Sequence, residues 1–191
     1  MLNTIQGKSN TFVADLRSER LFREAEDDFF YFNKFEEALE KIERALKFSP
    51  NMIKALLMRA NIALMSGEIE LALEFYKRAE VLAPNNIKVL AGIANIYELN
   101  NQNDLACEYI EKAMKLSIDK FNPLNKALID LKFNILLKQK KYTEAKKMLN
   151  ESKYILVQED YMALQADNLS ILKQKLLLQK KLKQARLKVI K

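Results

Sequence analysis

Histidine and tryptophan are absent from the 191 residues, and cysteine occurs once, at Cys107. The first absence removes the commonest general base and a principal metal ligand. A single cysteine rules out an intramolecular disulfide and any metal site built on several thiolates. With no histidine to serve as its base, Cys107 reads as a small, partly buried thiol beside Ala106 rather than a nucleophile. Glycine and proline are nearly as scarce, with three of each, so strands and tight turns have little punctuation. No run nears the roughly 18 uncharged apolar residues that cross a bilayer. Met1 to Asp15 lacks a basic stretch followed by an apolar core and a small-residue cleavage site, so the expected location is cytoplasmic. Catalysis would rest on carboxylates alone. The best cluster, Glu26-Asp27-Asp28, reads as a solvated helix face, and no enzymatic activity, cofactor or metal is expected.

What the chain does have is a ruler. Alanines recur in pairs at Ala38 and Ala45, Ala72 and Ala79, and Ala106 and Ala113, each pair 34 residues from the last. The same step links Pro50 to Pro84, Ile42 to Tyr76 to Ile110, and Phe29 to Ala63 to Tyr97. A period of this length marks stacked helix–turn–helix units, none of which can bury its apolar face alone. The Leu-, Ala-, Lys- and Glu-rich composition favours helix throughout.

The pattern divides the chain into a loose leader over 1–16, three regular repeats over 17–117, and two longer repeats over 118–191. Gly7, Ser9, Asn10 and Thr11 interrupt any period in the leader. Helices are expected near 17–32 and 35–48, 52–66 and 69–82, and 86–99 and 103–117. Ser49-Pro50-Asn51 and Pro84-Asn85 separate the units, because proline is excluded from a helix interior and accepted at a first turn. After 117 the step lengthens. Lys140-Lys141-Tyr142-Thr143-Glu144-Ala145 restates the helix-opening pattern with Ala145 39 residues after Ala106, and Lys180-Lys181-Leu182-Lys183-Gln184-Ala185 follows 40 residues after that. First helices near 122–138 and 157–179 are therefore longer, and the last copy is incomplete.

These second helices, Ala38-Ile42-Ala45-Pro50, Ala72-Tyr76-Ala79-Pro84 and Ala106-Ile110-Ala113, resemble those of the tetratricopeptide repeat family. The resemblance is strong over 17–117 and weaker over 118–191. Glu26 stands where a small residue is usual, Ile118 replaces the proline and Ser152 replaces an alanine. It implies an all-α, right-handed superhelical solenoid of antiparallel helix hairpins, about five repeats long, whose first helices line a concave groove. Ala60 and Ala94 would let neighbouring helices approach closely.

Eleven residues before each registering alanine stand Asp27, Asn61, Asn95, Asn134 and Gln174. The family often uses an asparagine there to hold the backbone of an extended peptide, and an amide offers both donors and an acceptor. Eighteen residues before stand Arg20, Lys54 and Lys88, a row of cations suited to an acidic peptide, a terminal carboxylate or a phosphate. The row stops at Ala127 and Asp167. Phe30, Tyr31, Leu57, Leu64, Met65 and Leu99 are expected to supply apolar contacts in the same groove.

The leading expectation is thus a non-catalytic scaffold that binds a peptide or helix of another protein, plausibly an acidic one. A second class is nucleic-acid binding. Residues 138–191 hold 14 Lys and Arg against 5 Asp and Glu, while the first 137 hold 18 against 20. Only Tyr142, Tyr154 and Tyr161 could stack bases in that basic part, which makes the case thin. A homodimer through the C-terminal end is the third, since Leu187, Val189 and Ile190 have no following repeat to cover them.

Overall fold

The computed structural model describes residues 2–117, 119, 122–152, 162 and 168–181, with side chains from Val13 onward. Among the described residues the helices run in the order α1 (Leu2–Phe30), α2 (Phe35–Phe48), α3 (Ile53–Met65), α4 (Ile69–Leu82), α5 (Ile87–Leu99), α6 (Asn103–Leu116), α7 (Leu124–Lys138) and α8 (Tyr142–Glu151). Residues 168–181 are also helical, and no strand occurs among the described residues. The architecture is an all-α solenoid of antiparallel hairpins. By its internal contacts the chain divides into two compact units, 1–96 and 97–191.

In the first unit α1 packs on α2, α2 on α3 and α3 on α4. Ala38, Ala45, Ala72 and Ala79 are fully buried there, as are Ala60 and Ala94. A methyl group is the largest side chain that closely approached helices accept at these points, which is why the ruler is written in alanine. Ile42 is fully buried and Tyr76 nearly so, filling the space between the alanines of each pair. Each such burial stabilises by about 1.5–3 kcal/mol. Ser18 adds a polar tie, donating its hydroxyl to the Ala45 carbonyl at 2.9 Å.

In the second unit α6 packs on α7 and α7 on α8. Ala106, Ile110, Ala113 and Ala145 are fully buried. Leu172, from the helical stretch 168–181, joins Ile129, Phe133, Leu136 and Leu149 in a shared core. Where the earlier units have proline, Asn125 organises the connection between α6 and α7. The Ser117 hydroxyl donates to Asn125 Oδ1, and Asn125 Nδ2 donates to the Asp119 carbonyl at 2.9 Å.

The leader expected over 1–16 is corrected: α1 continues through it to Leu2. A lone Gly7 lowers helix stability by only about 1 kcal/mol, and with no proline nearby the ladder of the packed segment 17–30 propagates backwards. The copy at 182–185, the end at Leu187, Val189 and Ile190, and most of the helix expected over 157–179 lie outside the described residues.

Candidate functional site

Helix α3 shows how the site is built. Ala55, Leu56, Ala60, Ile62 and Ala63 face inward, leaving a stripe at Lys54, Leu57, Asn61, Leu64 and Met65 on the opposite side. The spacing of three and four residues places all five on one face. Lys54, Asn61 and Met65 are exposed, and Leu57 and Leu64 are half-buried at the stripe's edge. The same order recurs as Arg20 and Asp27 on α1 with Tyr31 just beyond its end, all exposed, and on α5 as Lys88 and Asn95. A cation opens each stripe and a short polar side chain follows it; Met65 and Tyr31 add an apolar residue to the stripes of α3 and α1. These ten residues belong to the first unit. Leu99 and Asn134 are exposed in the second unit, as is Gln174.

Two of the three cations already have partners. Arg20 Nε lies 2.9 Å from Glu24 Oε1, and Lys54 Nζ lies 3.0 Å from Glu19 Oε1. Glu19 also stands 3.7 Å from Arg23, and the Lys54 ammonium sits over the Phe22 ring at 5.8 Å. Exposed pairs of this kind stabilise by roughly 0–1 kcal/mol, so an incoming carboxylate can exchange with them at small cost. The phase of the row is visible in sequence; its glutamate partners are one-off residues with no repeat to reveal them.

Asn61 has a partner that sequence reasoning missed. The Tyr76 hydroxyl, on α4, donates to Asn61 Oδ1 at 2.6 Å. Burial raises the Tyr76 pKa from 10.0 to about 12, so the phenol keeps its proton at neutral pH. The hydrogen bond engages the amide oxygen, so Nδ2 is the side of this exposed residue that can donate. Tyr76 is itself seated by Gly92 on α5, where an added Cβ would fall 2.1 Å from the tyrosine Cε1. The 34-residue step from Ile42 to Tyr76 was the signal, but only the hydroxyl distinguishes this position from its neighbours.

The acidic cluster resolves differently. Asp28 is buried and ion-paired with Lys41, while Asp27 is exposed and Glu26 half-buried. Its hydrogen bond to Asp28 raises the Lys41 pKa. Cys107 is half-buried and burial pushes its thiol pKa up, opposed by the nearby Lys132 ammonium. Lys132 also donates to Glu111 at 2.9 Å and holds that carboxyl below its usual range. Among the described residues no group of three or more Cys, Asp and Glu side chains is placed to hold a metal ion, and no helix is long and apolar enough to cross a membrane.

A sequence profile for the tetratricopeptide repeat matches residues 87–117, the α5–α6 hairpin. Among solved structures, the chain is similar to the pilF protein of Pseudomonas aeruginosa, with a TM-score of 0.65 at 18% identity, over 85% of this chain and 74% of that one. It is also similar to MamA of Desulfovibrio magneticus RS-1, from its residue 41 onward, with a TM-score of 0.61 at 16% identity, over 78% of this chain and 76% of that one. Identity this low makes both a likeness of fold. No curated protein matches the sequence.

Proposed function

We propose that the chain, whose α5–α6 hairpin matches the tetratricopeptide repeat and whose fold is of that type, is a non-catalytic scaffold which holds an extended segment of a partner protein along the stripes of α1, α3 and α5. One observation carries the proposal: the Tyr76 hydroxyl donates to Oδ1 of the exposed Asn61, which fixes the amide and leaves its Nδ2 side as the donor. Such a group suits a peptide carbonyl. Asn95, exposed at the same place on α5, repeats the donor one unit on. Arg20, Lys54 and Lys88 favour a partner segment carrying carboxylates, which would displace Glu24 and Glu19 from the first two. Leu57, Leu64, Met65 and Tyr31 supply the apolar contact that usually dominates binding energy. The regular units 17–117 are the reading part in this proposal, and 118–191 have a different task.

The test begins by selecting binders from a displayed random-peptide library with the full chain. The selected peptide is then titrated calorimetrically into wild type and into the Asn61→Ala, Asn95→Ala double variant. The expected result is an acidic consensus and a loss of about tenfold or more in affinity, the scale of two well-placed hydrogen bonds. Equal affinity for both proteins would remove the amide ladder from the mechanism.

A further inference from the structure

The tip of the α1–α2 hairpin is aromatic and exposed. Phe30 is 67% accessible, Tyr31 77%, Phe32 61% and Phe35 41%. The tip is well built. Phe29 braces Phe30 and Phe35 edge-to-face at 5.0 and 5.2 Å. Tyr31 N–H donates to the Asp27 carbonyl at 3.0 Å and Lys34 N–H to the Asp28 carbonyl at 2.8 Å. Large rings held rigidly in water are what interfaces use as anchors. Their surroundings are acidic: between residues 26 and 37, Glu26, Asp27, Asp28, Glu36 and Glu37 stand with Lys34 as the one cation, and Lys41 on α2, ion-paired with Asp28, also interacts with Glu37.

A surface with the opposite character lies on the helical stretch 168–181. It contains Lys173, Lys175, Lys180 and Lys181 and no acidic residue. Leu172 anchors it in the core of the second unit, with Leu176 half-buried beside it. That leaves Ile171, Leu177 and Leu178 exposed at 44%, 55% and 54% among the lysines. One patch offers rings within a carboxylate rim and the other leucines within an ammonium rim, so each supplies what the other lacks.

We propose that the aromatic tip of the α1–α2 hairpin of one copy docks the basic, leucine-bearing stretch 168–181 of a second copy. The contact is heterologous, because the two patches differ and every chain carries both. Copies therefore join head to tail, and growth passes beyond a dimer unless a ring closes. This goes beyond the peptide-binding reading and does not rest on it: Tyr31 and Asp27 border both surfaces, but Asn61 and Asn95 lie outside both patches and the residues substituted below lie outside the peptide-binding stripes.

Light scattering of the full chain across a concentration series tests it. At low salt the apparent mass should rise from the 22.2 kDa monomer to at least twice that value. It should fall back at about 0.5 M salt, where surface charges are screened. Reversing one rim with Glu36→Lys, Glu37→Lys, or the other with Lys173→Glu, Lys175→Glu, should leave each variant monomeric when alone. Mixing the two should restore association, because each then offers one complementary pair. Phe32→Ser and Leu178→Glu probe the apolar part of each patch, with circular dichroism confirming that both remain helical. Each should lower the apparent mass. A wild-type mass of one chain at every concentration overturns the proposal, and so does association that ignores the charge reversals or is not restored on mixing.

Discussion

Gly92 is a glycine because Tyr76 occupies the space a side chain would fill. The fold here decides a single atom: a Cβ would lie 2.1 Å from Cε1 and 2.2 Å from Cζ of the ring. Gly92→Ala is therefore expected to destabilise by about 1–3 kcal/mol despite alanine's better helix propensity. Combining it with Tyr76→Leu should recover part of that loss, as a double-mutant cycle in denaturant would show. The same tyrosine makes a pH signature. Its folded pKa of about 12 exceeds the ordinary 10.0, so between those values the folded chain holds a proton that the unfolded chain has lost. The contribution is intact below pH 10 and is lost as pH rises through 12. Over that window wild type should lose on the order of 2–3 kcal/mol relative to Tyr76→Phe, measured by urea unfolding of both at each pH.

At the scale of the helix, the ruler governs turns as well as packing. Asn33, Gly67 and Asn101 take positive φ of 53°, 78° and 58°, again one period apart, and Lys140 takes 59° at the lengthened step. After Gly67, Asn101 and Lys140 the next N–H reaches back to the last turn of the helix: Glu68 to Ala63, Gln102 to Tyr97 and Lys141 to Leu136, at 2.8–2.9 Å. These are the bonds that close a helix through a left-handed residue. Lysine has a Cβ and, unlike asparagine, no short polar side chain suited to bonding the local backbone in that conformation, so Lys140→Gly should stabilise by about 1 kcal/mol. Gly67→Ala should destabilise by a similar amount, although no atom stands within 4 Å of the added carbon. Thermal melts would compare the two. Much of this order was legible because it repeats: the buried alanines, Ala145 among them, and the helix ends follow from spacing. The features that do not repeat were hidden. Glycine and polar residues over 7–11 suggested a break, yet α1 runs through them because only proline would have stopped it. The pairing of Lys54 with Glu19 and the seat of Asn125 on Ser117 and Asp119 join residues with no counterpart in phase.

For the whole molecule, the relevant fact is that the division between the two compact units falls inside a helix. α5 gives Leu90, Ile93 and Ala94 to the core of the first unit. In the second unit its Tyr97 lies 5.5 Å from the Tyr109 ring, and its Glu98 accepts a hydrogen bond from Lys138. In a repeat array stability is a sum of unit terms and nearest-neighbour terms, so a defect spreads only as far as its neighbours. Ile93 is fully buried, and Ile93→Ala should cost about 2–4 kcal/mol. Because both units use α5, amide exchange should accelerate in α3 and α4 and also in α6. Leu149 is 1% accessible and belongs to the second unit alone. Leu149→Ala should cost a comparable amount, yet speed exchange mainly in α7, α8 and residues 168–181. Hydrogen exchange resolved by peptide mass would separate these outcomes. If Leu149→Ala loosened α2 and α3 as much as α7 and α8, the chain would be unfolding as one cooperative body, and the additive account of its stability would be wrong.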